Sequence, residues 1–194
     1  MISWVAMDRI EERKRAADAN YRKQAAGKSL AEMKGTLLAT KWQATFFKWP
    51  SNTDPRTNLA AYRKLAEGPT AVSADLDELS LRYGMRGPSD LAISDKVTAA
   101  KFGRDHFGMI ARTRLPLGKG TWDLGTLSDD GVRVSVDGKP VIENWAWHGP
   151  TSDTGKLTLP SDKTVEIVVE HFQIDGYAVL EFSLSRQAEP APGK

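Results

Sequence analysis

The sequence predicts a mainly β protein, an antiparallel sandwich or barrel carrying a helical N-terminal appendage. Three observations lead there. From Trp42 onward, short runs of alternating apolar and polar residues are separated by Gly, Pro, Asp and Ser, the pattern of a sandwich or barrel. Within that region Asp137-Gly138 joins two such runs, the signal of a two-residue hairpin. Ahead of it, residues 8–26 are rich in helix formers and contain no Pro or Gly.

Residues 1–41 read as a helical linker or docking segment. Ile10, Ala17, Tyr21 and Ala25 give the first helix one weak apolar stripe, and Gly27 can end it. Ser29 with Glu32 is a capping-box pattern, and Leu30, Met33 and Leu37 then line a short second helix. A helix this short is marginal in water, so it is expected to dock on the sandwich near Trp42, while residues 8–26 extend outward. Residues 42–49 are aromatic and extended. Asp54 is read as the N-cap of one clear helix, with Pro55 at its first position. Leu59, Tyr62 and Ala66 face inward on it, and Gly68-Pro69 stops it.

Leu79, Leu81 and Tyr83 alternate as a strand, and residues 84–96 read as a loop. Phe107, Met109, Ala111, Thr113 and Leu115 share one strand face, and Trp122, Leu124 and Thr126 another. Val132, Val134 and Val136 point one way before the Asp137-Gly138 turn, with Val141 and Ile142 beyond it. Val165, Ile167 and Val169 alternate with Glu166, Val168 and Glu170. In the last strand Ala178, Leu180, Phe182 and Leu184 form a core face while Tyr177, Glu181 and Ser183 look outward. The sandwich is read as residues 42–186, and residues 187–194 as a flexible tail.

Composition narrows the function. The 194 residues include no cysteine, which removes disulfide scaffolds, thiolate metal sites and cysteine nucleophiles. Ten basic residues face five acidic ones over residues 1–49, against seventeen and twenty in the remainder. The basic character therefore belongs to the front segment, where interleaved acids suggest a solvated face. The mildly acidic remainder argues against a nucleic-acid partner. No apolar run approaches the ~20 residues of a membrane span. Asp8 interrupts the N-terminus before a signal-peptide core could form. The expectation is either an intracellular protein or a piece of a longer exported chain.

Gly120-Thr121-Trp122, Ser128-Asp129-Asp130-Gly131-Val132-Arg133-Val134, Val136-Asp137-Gly138-Lys139 and Val141-Ile142-Glu143-Asn144-Trp145 together closely resemble the signature of one family. It is the protective-antigen-type β-sandwich module, the PA-fourteen domain. Val168 to Gln173 and Ala178 to Ser183 are similar to its last two strands, and Phe46-Phe47 to its opening aromatic pair. The resemblance spans residues 42–186 and is specific over 118–186. It implies a non-catalytic glycan-binding module of a larger exported protein, extracellular or at the cell surface, with parent-protein domains as further partners. The alternative it leaves is a structural accessory domain packed against a catalytic or β-helical parent. The loop His148-Gly149-Pro150-Thr151 is similar to modules attached to parallel β-helices.

In the sugar-binding branch of the family an adjacent acidic pair chelates calcium, which holds sugar hydroxyls. The resemblance places Asp129 and Asp130 there, with Ca²⁺ as candidate cofactor. Neighbouring strand side chains point to opposite faces, so two adjacent carboxylates can share an ion only if the backbone bends sharply or turns cis. Ca²⁺ needs six to eight oxygens. The family draws more from a loop near the last strands, usually with an Asn; here Gln173-Ile174-Asp175-Gly176-Tyr177 offers Asp175 as third metal ligand and Gln173 as a further one. As a plain turn, Ser128 to Gly131 would need no metal at all.

The aromatic loop supplies the remaining candidates. Asn144, Trp147, His148 and Tyr177 are read as sugar contacts, because indole and phenol faces stack on sugar rings while amide and imidazole groups take hydroxyls. The competing reading packs Trp145 and Trp147 at the core or its rim; strand parity would point both to one side with Val141 and Glu143. No catalytic residues are assigned. His106, His148 and His171 lack metal-ligand spacing, and Ser128 lacks the glycines of a nucleophile elbow.

Overall fold

In the computed structural model, residues 41–187 are described. Ten strands run β1 (Trp42–Lys48), β2 (Val72–Leu76), β3 (Ser80–Gly84), β4 (Phe107–Leu117), β5 (Gly120–Asp129), β6 (Val132–Val136), β7 (Lys139–Asn144), β8 (Thr151–Leu159), β9 (Lys163–Gln173) and β10 (Ala178–Arg186). They form two antiparallel sheets, a six-stranded one in the order β2-β1-β4-β9-β6-β7 and a four-stranded one in the order β3-β10-β5-β8. The protein is a β-sandwich. The helical segments expected in residues 1–40, and the tail beyond Gln187, lie outside the described residues.

Alternation builds the core. Trp42, Ala44 and Phe46 of β1, Val132, Val134 and Val136 of β6, and Val165, Ile167 and Val169 of β9 meet Leu124, Leu180 and Leu184 of the second sheet. Trp42 lies edge-on to Phe182 across the gap, with centroids 5.2 Å apart. Asp137 and Gly138 both take positive φ, 48° and 78°, as the β6–β7 hairpin requires.

A second apolar cluster lies on the outer side of the larger sheet, where Phe47, Ile110 and Phe172 receive Tyr62. Tyr62 comes from helix α1 (Leu59–Leu65). Its hydroxyl donates to the His171 carbonyl at 2.5 Å and its ring meets Phe47 edge-on at 4.9 Å. Beside it Arg63 grips buried Glu170 through two bonds of 2.6 and 2.7 Å.

Several local expectations are corrected. Asp54 is not the helix cap: its carboxylate takes the Arg56 N–H and guanidinium, so Asp54-Pro55 makes a turn. The cap is Asn58, whose side chain accepts from Ala61 N–H at 2.9 Å. Residues 84–96 are not all loop: a 3₁₀ turn covers Pro88–Asp90, and helix α2 (Asp95–Ala99) starts within them, capped by Ser94. Val97 of α2 is buried in the inter-sheet core. Glu181 and Ser183 alternate outward as expected, yet both are buried, Glu181 against Arg82. Strands β2 and β8 lacked a legible pattern. In β8 Gly155 faces Val141 and Ile142 so closely that a Cβ would lie 2.6 Å from Val141 Cγ1, so small residues stand where apolar ones would signal a strand.

β1 begins, and β10 finishes, at the end marked by the β4–β5 and β8–β9 turns. Gln43 is opposite Arg112 with Leu117 beyond, and Arg186 is opposite Trp122. The Asp129–Asp130 junction, the loop after β7 and the loop between β9 and β10 gather at the other end.

Candidate functional site

Asp129 closes β5 and Asp130 follows it, and the peptide bond between them is cis. Their exposures are 1% and 0%. Asp130 ties three segments together. Its Oδ1 accepts from His148 N–H at 3.2 Å, its Oδ2 from Ile174 N–H at 2.8 Å, and its own N–H donates to Gln173 Oε1 at 3.0 Å. One carboxylate therefore fixes the aromatic loop and the β9–β10 loop to the end of β5. Charge-assisted bonds of this kind are roughly twice as strong as neutral ones.

Gln173 is the second organiser. It is fully buried, and its amide donates to the carbonyls of Asp175 at 2.7 Å and Tyr177 at 2.8 Å. Asp105 adds a further tie by accepting from Gly176 N–H at 3.2 Å. His171, also buried, donates through Nε2 to the Asp129 carbonyl at 3.0 Å. Burial pushes its imidazole down to about 4 although that bond works the other way, so the ring is neutral near pH 7. It stacks on Tyr83 with centroids 6.2 Å apart.

The structure brings Asp129, Asp130, His148, Asp175 and Tyr177 to one end of the sandwich, linked through the backbone. Trp147 sits half-buried beside His148, which bonds the Gly149 carbonyl through Nδ1 at 2.7 Å. Asn144 is held apart by its own partner, donating to Asp153 at 3.0 Å. The parity argument for the tryptophans fails because β7 stops at Asn144. Val141 packs on the inter-sheet core, whereas Trp145 joins the outer cluster. There it stands edge-on to Tyr62 and Phe172 and donates to the Pro55 carbonyl at 2.9 Å.

Hard anionic oxygens from adjacent residues suit Ca²⁺ in kind. Among the described residues no group of three or more His, Cys, Asp or Glu side chains could hold a metal. Any ion at the pair would complete its shell from amide and backbone oxygens or water. Sequence reading found Gln173 only as a spare ligand and missed His171 and Asp105. Nothing local marks Asp105, which acts across 71 positions of chain.

The PA14 domain model matches residues 88–194, more than half of the chain. No curated protein sequence matches significantly. Among solved structures, a PA14 sugar-binding domain from an RTX adhesin is 16% identical with a TM-score of 0.55, over 79% of this chain and 93% of that one. The epithelial adhesin 9 A domain from Candida glabrata, in complex with Galb1-3GlcNAc, is 11% identical with a TM-score of 0.56, over 78% and 84%. An anti-sigma factor domain-containing protein from Clostridium clariflavum is 16% identical with a TM-score of 0.55, over 76% and 42%. The chain spans 44% and 42% of the two anti-sigma factor domain-containing proteins it matches. At these identities the likeness is one of fold.

Proposed function

The chain belongs to the PA14 domain family, and from that premise we propose that its sandwich is a non-catalytic glycan-binding module of a larger protein displayed outside the cell. The observation that carries this reading is the Asp130 carboxylate, which joins the His148 and Ile174 loops to the acidic pair. That junction ties the loops that carry Trp147, His148 and Tyr177 to the same end of the sandwich, which supports reading them as parts of one site. Trp147 and Tyr177 offer ring faces to a sugar. His148, whose Nδ1 bonds the Gly149 carbonyl, and Asn144, whose amide donates to Asp153, would meet hydroxyls only by exchanging those partners. The sugar-binding and sugar-complexed relatives named above support the reading.

Ca²⁺ is the cofactor that suits the donor chemistry. Asp129 and Asp130 would hold it, with amide or backbone oxygens or water completing the shell. When bound it would supply a positive centre for paired hydroxyls. A glycan array with and without Ca²⁺ is the test, read beside melting curves, since a native-state ligand stabilises by mass action. Asp129→Asn is the cleaner metal probe, because Asp130 also holds two loop amides. Binding that Asp129→Asn and Trp147→Ala both abolish, with folding intact, supports the reading.

A second reading is favoured by one observation: Asp129 and Asp130 are 1% and 0% exposed. Carboxylates so deeply set can serve as loop fasteners in an accessory domain that packs on its parent. Melting curves that coincide in millimolar Ca²⁺ and in chelator, with no glycan bound in either, would establish it over the first.

A further inference from the structure

Two non-glycine residues with left-handed backbone bracket one short segment ahead of β4. Lys101 has φ 53° and His106 φ 56°, and residues 102–105 run between them. Such conformations persist where the surroundings over-determine them, and they gather at ligand clamps. The surroundings here do so. Phe102 is buried, and its N–H donates to Ser89 Oγ at 2.8 Å. Gly87 lies so near that a Cβ would stand 2.1 Å from the Gly103 carbonyl oxygen. The His106 carbonyl accepts from Trp49 N–H at 3.0 Å, and its own N–H donates to the Ile174 carbonyl at 3.1 Å.

The last of these bonds ties the segment to the acidic pair. Ile174 N–H is the group that Asp130 Oδ2 holds, so one residue bridges His106 and Asp130. Strand β9 stands between β4 and β6, which sets the two about two strand spacings apart, roughly 10 Å. Asp105 accepts Gly176 N–H, next in sequence to Tyr177. The β9–β10 loop is therefore pinned by Asp130 on one side and by residues 105–106 on the other.

The side chains of this segment are less engaged than its backbone. The His106 imidazole is half-buried, stands edge-on to Trp49 with centroids 4.5 Å apart, and takes part in no hydrogen bond among the described residues. The Arg104 side chain is 57% exposed and reaches Asp105 Oδ2 at only 3.4 Å. A carboxylate accepts at several lone pairs, a guanidinium only donates, and an imidazole can do both. With charges of both signs side by side, the group suits neutral hydroxyls, which donate and accept in turn. We propose that Arg104, Asp105 and His106 form a second sugar subsite beside Tyr177. It takes the unit next to the one at Asp129-Asp130 in a neutral oligosaccharide. This rests on the glycan-binding reading above and adds that full affinity needs at least two sugar units. The fixed backbone spares the subsite most of the ordering that weakens binding.

The test is a glycan array of neutral mono-, di- and trisaccharides, in Ca²⁺ and in chelator, followed by calorimetric titration with the best disaccharide and with its terminal monosaccharide. The unaltered chain should bind the disaccharide at least about tenfold more tightly. His106→Phe keeps a ring against Trp49. It should lower disaccharide affinity by about fivefold or more, as the loss of a hydrogen bond does, and change monosaccharide affinity by less than about twofold. If His106→Phe lowers Tm by more than about 5 °C, Arg104→Ala, at an exposed position, carries the same comparison. Equal affinity for the two sugars in the unaltered chain, or a variant that weakens both alike or neither, would overturn the subsite and leave the glycan reading standing. An unaltered chain that binds no sugar in either buffer would overturn both.

Discussion

Alanine at position 131 should drive a methyl group into the Phe172 ring. A Cβ there would lie 2.2 Å from Phe172 Cε1, 2.5 Å from Cζ and 2.9 Å from Cδ1. Carbon atoms prefer about 3.5–4.0 Å, so ring and backbone must part by more than about 1 Å. They have little room. The ring is fully buried, Trp145 stands edge-on at 4.7 Å, and Phe172 N–H bonds the Gly131 carbonyl at 3.0 Å. Gly131 is not among the residues with positive φ, so the cost is one of space. Overpacking of this kind costs about 1–3 kcal/mol. For a chain of this size each kcal/mol lowers Tm by about 2–4 °C, giving an expected fall of roughly 2–12 °C. Calorimetry of Gly131→Ala, Phe172→Leu and the double variant is the assay. In the Phe172→Leu background the alanine should cost less than half as much, because the coupling runs through the ring. A Tm within 1 °C of the parent (about 0.3–0.5 kcal/mol), or strict additivity, would refute the reasoning.

Other outcomes follow from the same packing. His171 is held neutral, with its folded value near 4 below the unfolded 6.5. The unfolded chain therefore binds the proton first, and stability should fall by about 3 kcal/mol as pH drops from 6.5 toward 4; urea titrations should show this slope, and His171→Phe should flatten it. Asn58→Ala should cost about 1 kcal/mol by urea denaturation as a lost helix cap, and more than Asp54→Ala; the reverse order would restore Asp54 as cap. Arg63→Ala should cost about 1–3 kcal/mol, less than a fully enclosed pair because Arg63 is half exposed; the same change should cost less beside Glu170→Gln.

The sandwich was legible because its central strands obey period two. Val132 to Val136 and Val165 to Val169 show buried and half-buried positions in strict turn, and Asp137-Gly138 fixes a hairpin. Edge strand β8 was not, since Thr, Ser, Asp and Gly residues gain their place from neighbours in β5 and β7 and not from their own hydrophobicity. The N-cap was misplaced because Asp54-Pro55 and Asn58 are both good local starts; Arg56, two residues on, decides by claiming the Asp54 carboxylate. At the candidate site the acidic pair was visible. The meeting of residues 130, 148 and 174 was not, because only the paired strands bring such distant segments together. Glu181 and Ser183 read as outward polar residues, and the sequence holds no local sign that their face is covered.

The shared end at which β1 begins and β10 finishes has a mechanical consequence. A load applied between Trp42 and Arg186 pulls at one end of two strands in different sheets, away from the end that holds Asp129-Asp130. Such a load separates the sheets from the tethered end and opens the β1 and β10 ladders one hydrogen bond after another. It does not shear all of those bonds together. Rupture force should therefore be low and should rise if the tether is moved to the loop end of either strand, while the loops around Asp130 stay slack until the core between Trp42 and Phe182 has parted.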